Sequence, residues 1–174
     1  MVDFGDEEHE DPARVEVTPY LGWNFALAEN WRLDTALSRY IYDGEIFGQS
    51  IDYSELNTLL HYGDLATARF AVAFDAYGRG GEIFDYEFQA RYPLTDSLEL
   101  SASLGYEDAD AVFGYDELYW SLGATWFFHK HASIDVRYYD FHHFADVVSS
   151  PDLADSFELP HIEKPIAVSI SIGF

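Results

Sequence analysis

Acidic and basic residues recur at every second position through much of this chain, and that spacing limits the chemistry they can do. Asp85, Glu87 and Arg91 alternate with aromatic residues, Glu99 shares a face with Ser101 and Ser103, and Asp135 shares one with Arg137. Glu16, Asp34, Glu55 and Arg69 hold the matching positions in the preceding segments. Residues two apart point the same way along a strand. The pattern describes a charged wall rather than a reacting centre. Glu16, Asp34, Glu55, Arg69, Asp85, Glu87, Arg91, Glu99, Asp135 and Arg137 are the expected lining of a water-filled pore that sorts solutes by charge. The same residues also suit a filled lumen, in which Arg91 and Arg137 neutralise carboxylates and nothing passes. In both cases the charges must face water or one another.

Covalent chemistry finds little support. There is no G-x-S-x-G, no glycine-rich phosphate loop and no H-E-x-x-H. Ser38, His61 and Ser121 would suit a lipid-modifying barrel, yet all fall on the charged face and none has a nameable nucleophile–base partner. The expectation is no enzyme, no catalytic residue and no cofactor. Asp140, His142, His143 and Asp146 cluster where a strand runs into the longest loop. Imidazole and carboxylate suit a divalent metal, but the spacing matches no ligand motif, and no metal site is expected there or at His129 and His131. The acidic runs Asp6–Asp11 and Glu107–Glu117 would serve to bridge cations to lipopolysaccharide phosphates, or simply to keep loops soluble, which is favoured.

Composition narrows the class. Net charge is −23, from 32 acidic and 9 basic residues, so a phosphate backbone is repelled and nucleic acid is not an expected partner. The absence of cysteine removes disulfides, thiol catalysis and zinc–thiolate sites. Aromatic residues make up 18% of the 174 positions, as membrane barrels with aromatic girdles require. No run of about 18 apolar residues offers a transmembrane helix. Mean hydropathy is −0.16, which membrane barrels share because only every second residue meets lipid. Met1 leads straight into Val2-Asp3-Phe4-Gly5-Asp6 without a leader, so either a removed front or a start inside a longer reading frame is expected.

The positioning elements are strands. Alternation marks them at Arg14–Leu27, Trp31–Tyr42, Tyr53–Tyr62, Leu65–Tyr77, Glu82–Leu94, Leu98–Asp108, Tyr115–Phe128, His131–Phe141 and Ile162–Phe174, with no helical segment between them. Arg39 falls in register with Leu33 and Leu37, which predicts a bulge near Ser38. Short connections at Glu29-Asn30, Gly63-Asp64, Thr95–Ser97 and His129-Lys130 alternate with longer ones at Asp43–Asp52, Gly78–Gly81, Ala109–Gly114 and His142–His161. Short turns on one rim and long loops on the other describe a membrane barrel. Trp23, Trp31, Tyr92 and Trp126 near the short turns, and Tyr42, Tyr53, Tyr77 and Tyr106 near the loops, are the expected girdles. Ile166, Val168, Ile170, Ile172 and Phe174 give the last strand an apolar face closed by a terminal aromatic, which barrel-assembly machinery reads in outer-membrane proteins. The expected fold is all-β: one domain over 1–174, an antiparallel up-and-down transmembrane β-barrel with about nine to ten strands present.

Particular segments resemble a known family. Val2-Asp3-Phe4-Gly5-Asp6, Glu16-Val17 with Tyr20-Leu21-Gly22-Trp23, Tyr40-Ile41-Tyr42-Asp43-Gly44 and Tyr53-Ser54-Glu55-Leu56 are similar to the TorF-like family of porins, proteobacterial outer-membrane proteins. The resemblance implies a signal peptide and further strands ahead of Val2, and about twelve strands in the full protein. It brings no catalytic residues. Without that front, the sheet is expected to be open or imperfectly closed rather than sealed by a ladder between residues 2–6 and the last strand. The functional expectation is a porin of the bacterial outer membrane passing small hydrophilic solutes. Outer-membrane lipid, lipopolysaccharide and the assembly machinery are its expected partners. A non-conducting structural or adhesion barrel, and a soluble ligand-binding β-barrel, are the alternatives.

Overall fold

The computed structural model describes residues 15–43, 45–46, 49–144 and 166–173. The strands are β1 (Glu16–Val17), β2 (Tyr20–Ala28), β3 (Trp31–Tyr42), β4 (Glu45–Ile46), β5 (Gln49–Ser50), β6 (Tyr53–Tyr62), β7 (Ala66–Phe74), β8 (Ile83–Thr95), β9 (Leu98–Asp108), β10 (Asp116–His129), β11 (Ala132–Phe144) and β12 (Ile166–Ile172). Ten of them form one antiparallel sheet in which each long strand pairs with the next along the chain, while β4 and β5 make a separate small hairpin. The chain is therefore all-β, and the sheet is open among the described residues, ending at β12 on one side and at β1 and β2 on the other. Residues 2–6 and Phe174, on which the closure and the terminal aromatic turn, lie outside the described residues.

The observed strands follow the alternation closely, with informative exceptions. The expected first strand is two pieces, β1 and β2, on the same edge of β3, interrupted at Thr18-Pro19. Proline has no N–H for the ladder, but its carbonyl still accepts from Arg39 N at 2.9 Å, so the course of the edge is kept. No bulge occurs at Ser38: β3 pairs with β6 in unbroken register from Trp31 to Tyr40. Arg39 keeps its place on the apolar face because it is exposed at the loop end, where Asp52 lies 3.6 Å away and Ser54 accepts a hydrogen bond. Register shifts occur instead beside the short turns, at Ala26/Ala28, Pro93/Thr95 and Phe127/His129.

One face of the sheet is apolar and uncovered. Leu104 is 54% exposed, Leu122 55%, Trp126 53%, Ile170 66% and Ile172 67%, so these side chains do not point into a closed core. The other face is polar and the more enclosed: Ser101 is 7% exposed and Ser121 2%. This inverts the usual arrangement of a soluble sheet.

The apolar core is small and sits at the loop end of the polar face. Tyr53, Ala73, Ala76, Ile83, Ala109 and Val112 are its buried members, with Tyr40, Tyr42 and Tyr77 packed against them. Two helical pieces that alternation did not predict supply part of it: a 3-10 turn (Ala76–Gly78) and α1 (Asp110–Phe113). The 3-10 turn forms because Asp75 and Tyr77 turn to positive φ and end β7 at Phe74, short of the expected Tyr77, whereas α1 closes at Gly114 in the left-handed region, with Asp116 accepting from Ala109 N and Asp110 N. Asp75 therefore leaves the strand face and accepts a hydrogen bond from Gly80 N at 2.7 Å. At Gly78 a Cβ would lie 2.1 Å from the Ser50 carbonyl, so only glycine lets the turn seat against β5. Tyr42, Tyr53 and Tyr77 thus belong to this core rather than to an outward girdle, since parity in β3 and β6 turns Tyr42 and Tyr53 to the polar side. Of the four loop-end tyrosines, Tyr106 alone shares the apolar face with Leu104, its hydroxyl donating to Asp116 at 2.7 Å.

Ala76 and Ala109 are fully buried, with no room for larger side chains. Replacing Ala109 with Leu is expected to cost about 1–3 kcal/mol by overpacking. The damage should be local: faster amide hydrogen exchange over residues 75–82 and 109–115, with the strand ladders unchanged. Uniform loss of protection across the sheet would contradict this division.

Candidate functional site

The pairing registers place Glu16, Asp34, Glu55, Arg69, Asp85, Glu87, Arg91, Glu99, Asp135 and Arg137 all on the polar face. Several are brought into contact. Arg69 Nη1 donates to Asp85 Oδ1 at 2.7 Å, and Arg137 Nε lies 3.4 Å from Asp135 Oδ1. Asp34 takes Arg32 Nε at 3.2 Å, His61 Nε2 at 3.1 Å and the Asn24 amide. Glu55 accepts from Asn57 at 3.3 Å, and Glu16 accepts from Thr18 at 2.9 Å. Arg91 departs from the expected neutralising role. It is exposed near a short turn, donates to Gln89 at 3.4 Å and has no ion pair among the described residues. Glu99 lies opposite Thr125 and Pro93 and is not drawn into the pairs.

Glycines organise the centre of this face. Gly105 in β9 stands opposite Glu87 of β8 and Tyr119 of β10. Tyr119 lies flat over it, so close that a Cβ at Gly105 would meet the ring at 2.1 Å. The phenol thereby crosses a whole strand, its hydroxyl 3.1 Å from Asp85 Oδ2 and 3.2 Å from Glu87 Oε2. One strand further on the device repeats. Gly123 in β10 stands opposite Arg137, whose guanidinium lies 2.9 Å from where its Cβ would be. Arg137 reaches over Gly123 to donate to Ser101 Oγ at 2.8 Å and Ser121 Oγ at 3.2 Å. Ser103 and Ser121 share a hydrogen bond at 2.6 Å between these two crossings. Sequence reasoning placed these glycines, serines and Tyr119 on the correct face but gave them no role. The legible signal was a bare glycine directly between long polar side chains on both flanking strands.

Aromatic rings form a continuous path along the loop end. Tyr40 stacks on Tyr53 at 4.5 Å, Tyr53 meets Tyr77 at 4.8 Å and Tyr77 meets Phe113 at 5.7 Å. Phe113 then meets Tyr115 at 6.0 Å, Tyr115 stacks on His143 at 4.8 Å, and His143 meets Phe141 at 5.0 Å. Burial raises the Tyr115 phenol, and the neighbouring Glu117 and Glu107 charges add to the effect. His143 and His142 belong to β11 rather than to a loop and point to opposite faces, which separates the cluster weighed as a metal site. Asp146 lies outside the described residues, and no grouping of metal ligands occurs among those described.

Thr67, His61 and Asp34 stand in a row: His61 Nδ1 is 3.0 Å from Thr67 Oγ1, and Nε2 lies 3.1 Å from Asp34 without a hydrogen bond to it. The order resembles a hydroxyl, base and acid. It lies in the paired interior of β3, β6 and β7, where ladder bonds occupy the backbone N–H groups that an oxyanion would need.

Replacing Gly105 with Val is expected to expel the Tyr119 ring and to cost about 1–3 kcal/mol. The denaturant midpoint of the folded protein should fall accordingly. Gly105→Val combined with Tyr119→Ala should recover much of the loss, because the clash is then gone. A double variant no better than the single one would show that Gly105 serves another purpose.

No curated protein and no solved structure matches this chain. A family model described as "Bacterial protein of unknown function (Gcw_chp)" matches residues 4–155, which is most of the sequence, and the chain belongs to that family.

Proposed function

We propose that this sheet is the wall of a β-barrel in the bacterial outer membrane that acts as a porin for small hydrophilic solutes. The inverted exposure carries the reading. Large apolar side chains stand uncovered along one face from Trp23 on β2 to Ile172 on β12, a surface far beyond scattered exposed residues. Lipid is the environment that favours it. The opposite face carries charges and hydroxyls that need water or one another. Aromatic residues on the apolar face near the short turns (Trp23, Trp31, Tyr62, Tyr92 and Trp126) agree with an interfacial girdle. The resemblance to the TorF-like porin family points the same way. On this reading outer-membrane lipid and lipopolysaccharide surround the sheet, and the assembly machinery engages the last strand.

A non-conducting barrel is the second reading, favoured by a specific observation. The core at the loop end and the crossings by Tyr119 and Arg137 fill part of the polar face. A soluble ligand-binding barrel fits less well, because its apolar side chains would face inward.

Two measurements test the proposal. Leu122→Arg, on the apolar face, is expected to destabilise the protein folded in lipid by about 2–4 kcal/mol if that position is near the bilayer midplane. Equal stability of the variant would remove lipid from that face. In planar bilayers, the protein should give stepwise conductance with cation preference, lowered in Glu87→Lys. Heat-modifiable, lipid-inserted protein without conductance would favour the non-conducting barrel.

A further inference from the structure

We infer that the polar face carries a binding site for a small organic cation, an amine or guanidine on a compact body. The site deepens the porin reading and relies on it for access from outside. A cavity of about 340 Å³ opens over β8, β9, β10 and β11, lined among others by Glu87, Glu117, Tyr119, Tyr139, Asp140 and Phe141. Its size suits a small ligand.

The lining selects by charge. Glu87 and Glu117 present carboxylates, and no basic residue lines the cavity among the described residues. The row above it sets Asp85 opposite Glu107 and Glu107 opposite Glu117, and like charges directly opposed on a sheet are unfavourable. Arg69 pairs with Asp85 and His143 Nε2 contacts Glu117, but Glu107, between them, forms no salt bridge of its own among the described residues, and burial with the Asp85 and Glu117 charges outweighs the pull of Arg69. A cation entering the cavity would relieve that repulsion. An anion would add to it.

The rings supply the second element. Tyr139 is 40% exposed and Phe141 36%, which leaves ring faces open to a ligand beside the carboxylates. Aromatic faces with nearby anions favour an organic cation, through attraction to the ring quadrupole and burial of its apolar body. A neutral sugar is served less well. The floor hydroxyls Ser103 and Ser121 already bond to each other, and Arg137 already donates to Ser121. Tyr119 is held over Gly105 with its hydroxyl at Asp85 and Glu87, and so stiffens the wall.

The test uses the full protein folded in detergent, with heat-modifiable migration confirming the fold of each variant. Agmatine is titrated against it by calorimetry, with sucrose and glutamate as neutral and anionic probes. Saturable agmatine binding is expected, with sucrose and glutamate inert. The conservative E87Q/E117Q variant should lose about tenfold or more in affinity, and Phe141→Leu, which keeps the packing and removes the ring, several-fold. T18A, away from the cavity, should bind as the parent does. Absent agmatine binding by folded protein, equal binding by sucrose, or unchanged affinity in both site variants would overturn the site. Binding without bilayer conductance supports the site while counting against the pore. Conductance without agmatine binding or block overturns the site and leaves the pore standing.

Discussion

Antiparallel pairing of each long strand with the next, from β3 to β6 and on through β7–β12, is the constraint on which everything else rests. Each strand presents alternate residues to opposite sides, and each ladder hands that parity to the next strand without loss. A one-residue slip anywhere would exchange faces for every strand beyond it. It would carry Asp135 and Arg137 to the side of Ile134 and Val136, and Leu100 to the side of Glu99. The separation of charge from hydrocarbon is thus one collective property, fixed by registers rather than by any single contact.

The energetics follow from that separation. Among the described residues no large side chain is fully buried, and the core at the loop end is assembled mainly from alanines and tyrosines. A sheet with its apolar face uncovered gains little from the hydrophobic effect until something covers that face. The polar face is held differently, by local ion pairs and hydrogen bonds such as Arg69–Asp85 and Thr125–Asp135. The protein therefore has two halves to its stability, one internal and electrostatic, the other dependent on its surroundings.

Much of this was legible in the sequence because alternation is a strong signal. The bounds of β3, β6 and β9 coincide with the alternating runs, and every expected lining residue falls on one face. What escaped was set by backbone and steric detail that alternation does not carry. The break at Pro19, the positive φ at Asp75 and Tyr77, and the short helix Asp110–Phe113 are local departures inside or beside polar, aromatic-rich segments. Arg39 misled in the opposite direction. An apparent violation of the pattern was taken for a bulge, when a long side chain at an exposed rim simply satisfies itself through Asp52 and Ser54. The central network was hidden for a different reason. Its links skip a strand, and their only trace in the sequence is the missing side chain at Gly105 and Gly123.

Those two glycines bear on how the sheet avoids assembly errors. A slip of one residue announces itself by exposing charge on the wrong side, but a slip of two residues keeps every side chain on its proper face and goes unpunished by hydrophobicity. The glycine crossings detect it. Shifting β10 by two against β9 would put Ser103 or Glu107 beneath the Tyr119 ring, and shifting β11 against β10 would put Ser121 or Thr125 beneath Arg137. Each of those residues has a side chain that would push the Tyr119 ring or the Arg137 guanidinium off its crossing. Since Tyr119 must also find Asp85 and Glu87 on β8, it checks the alignment of three strands at once. The pair acts as a vernier, rejecting the even-numbered misalignments to which alternation is blind.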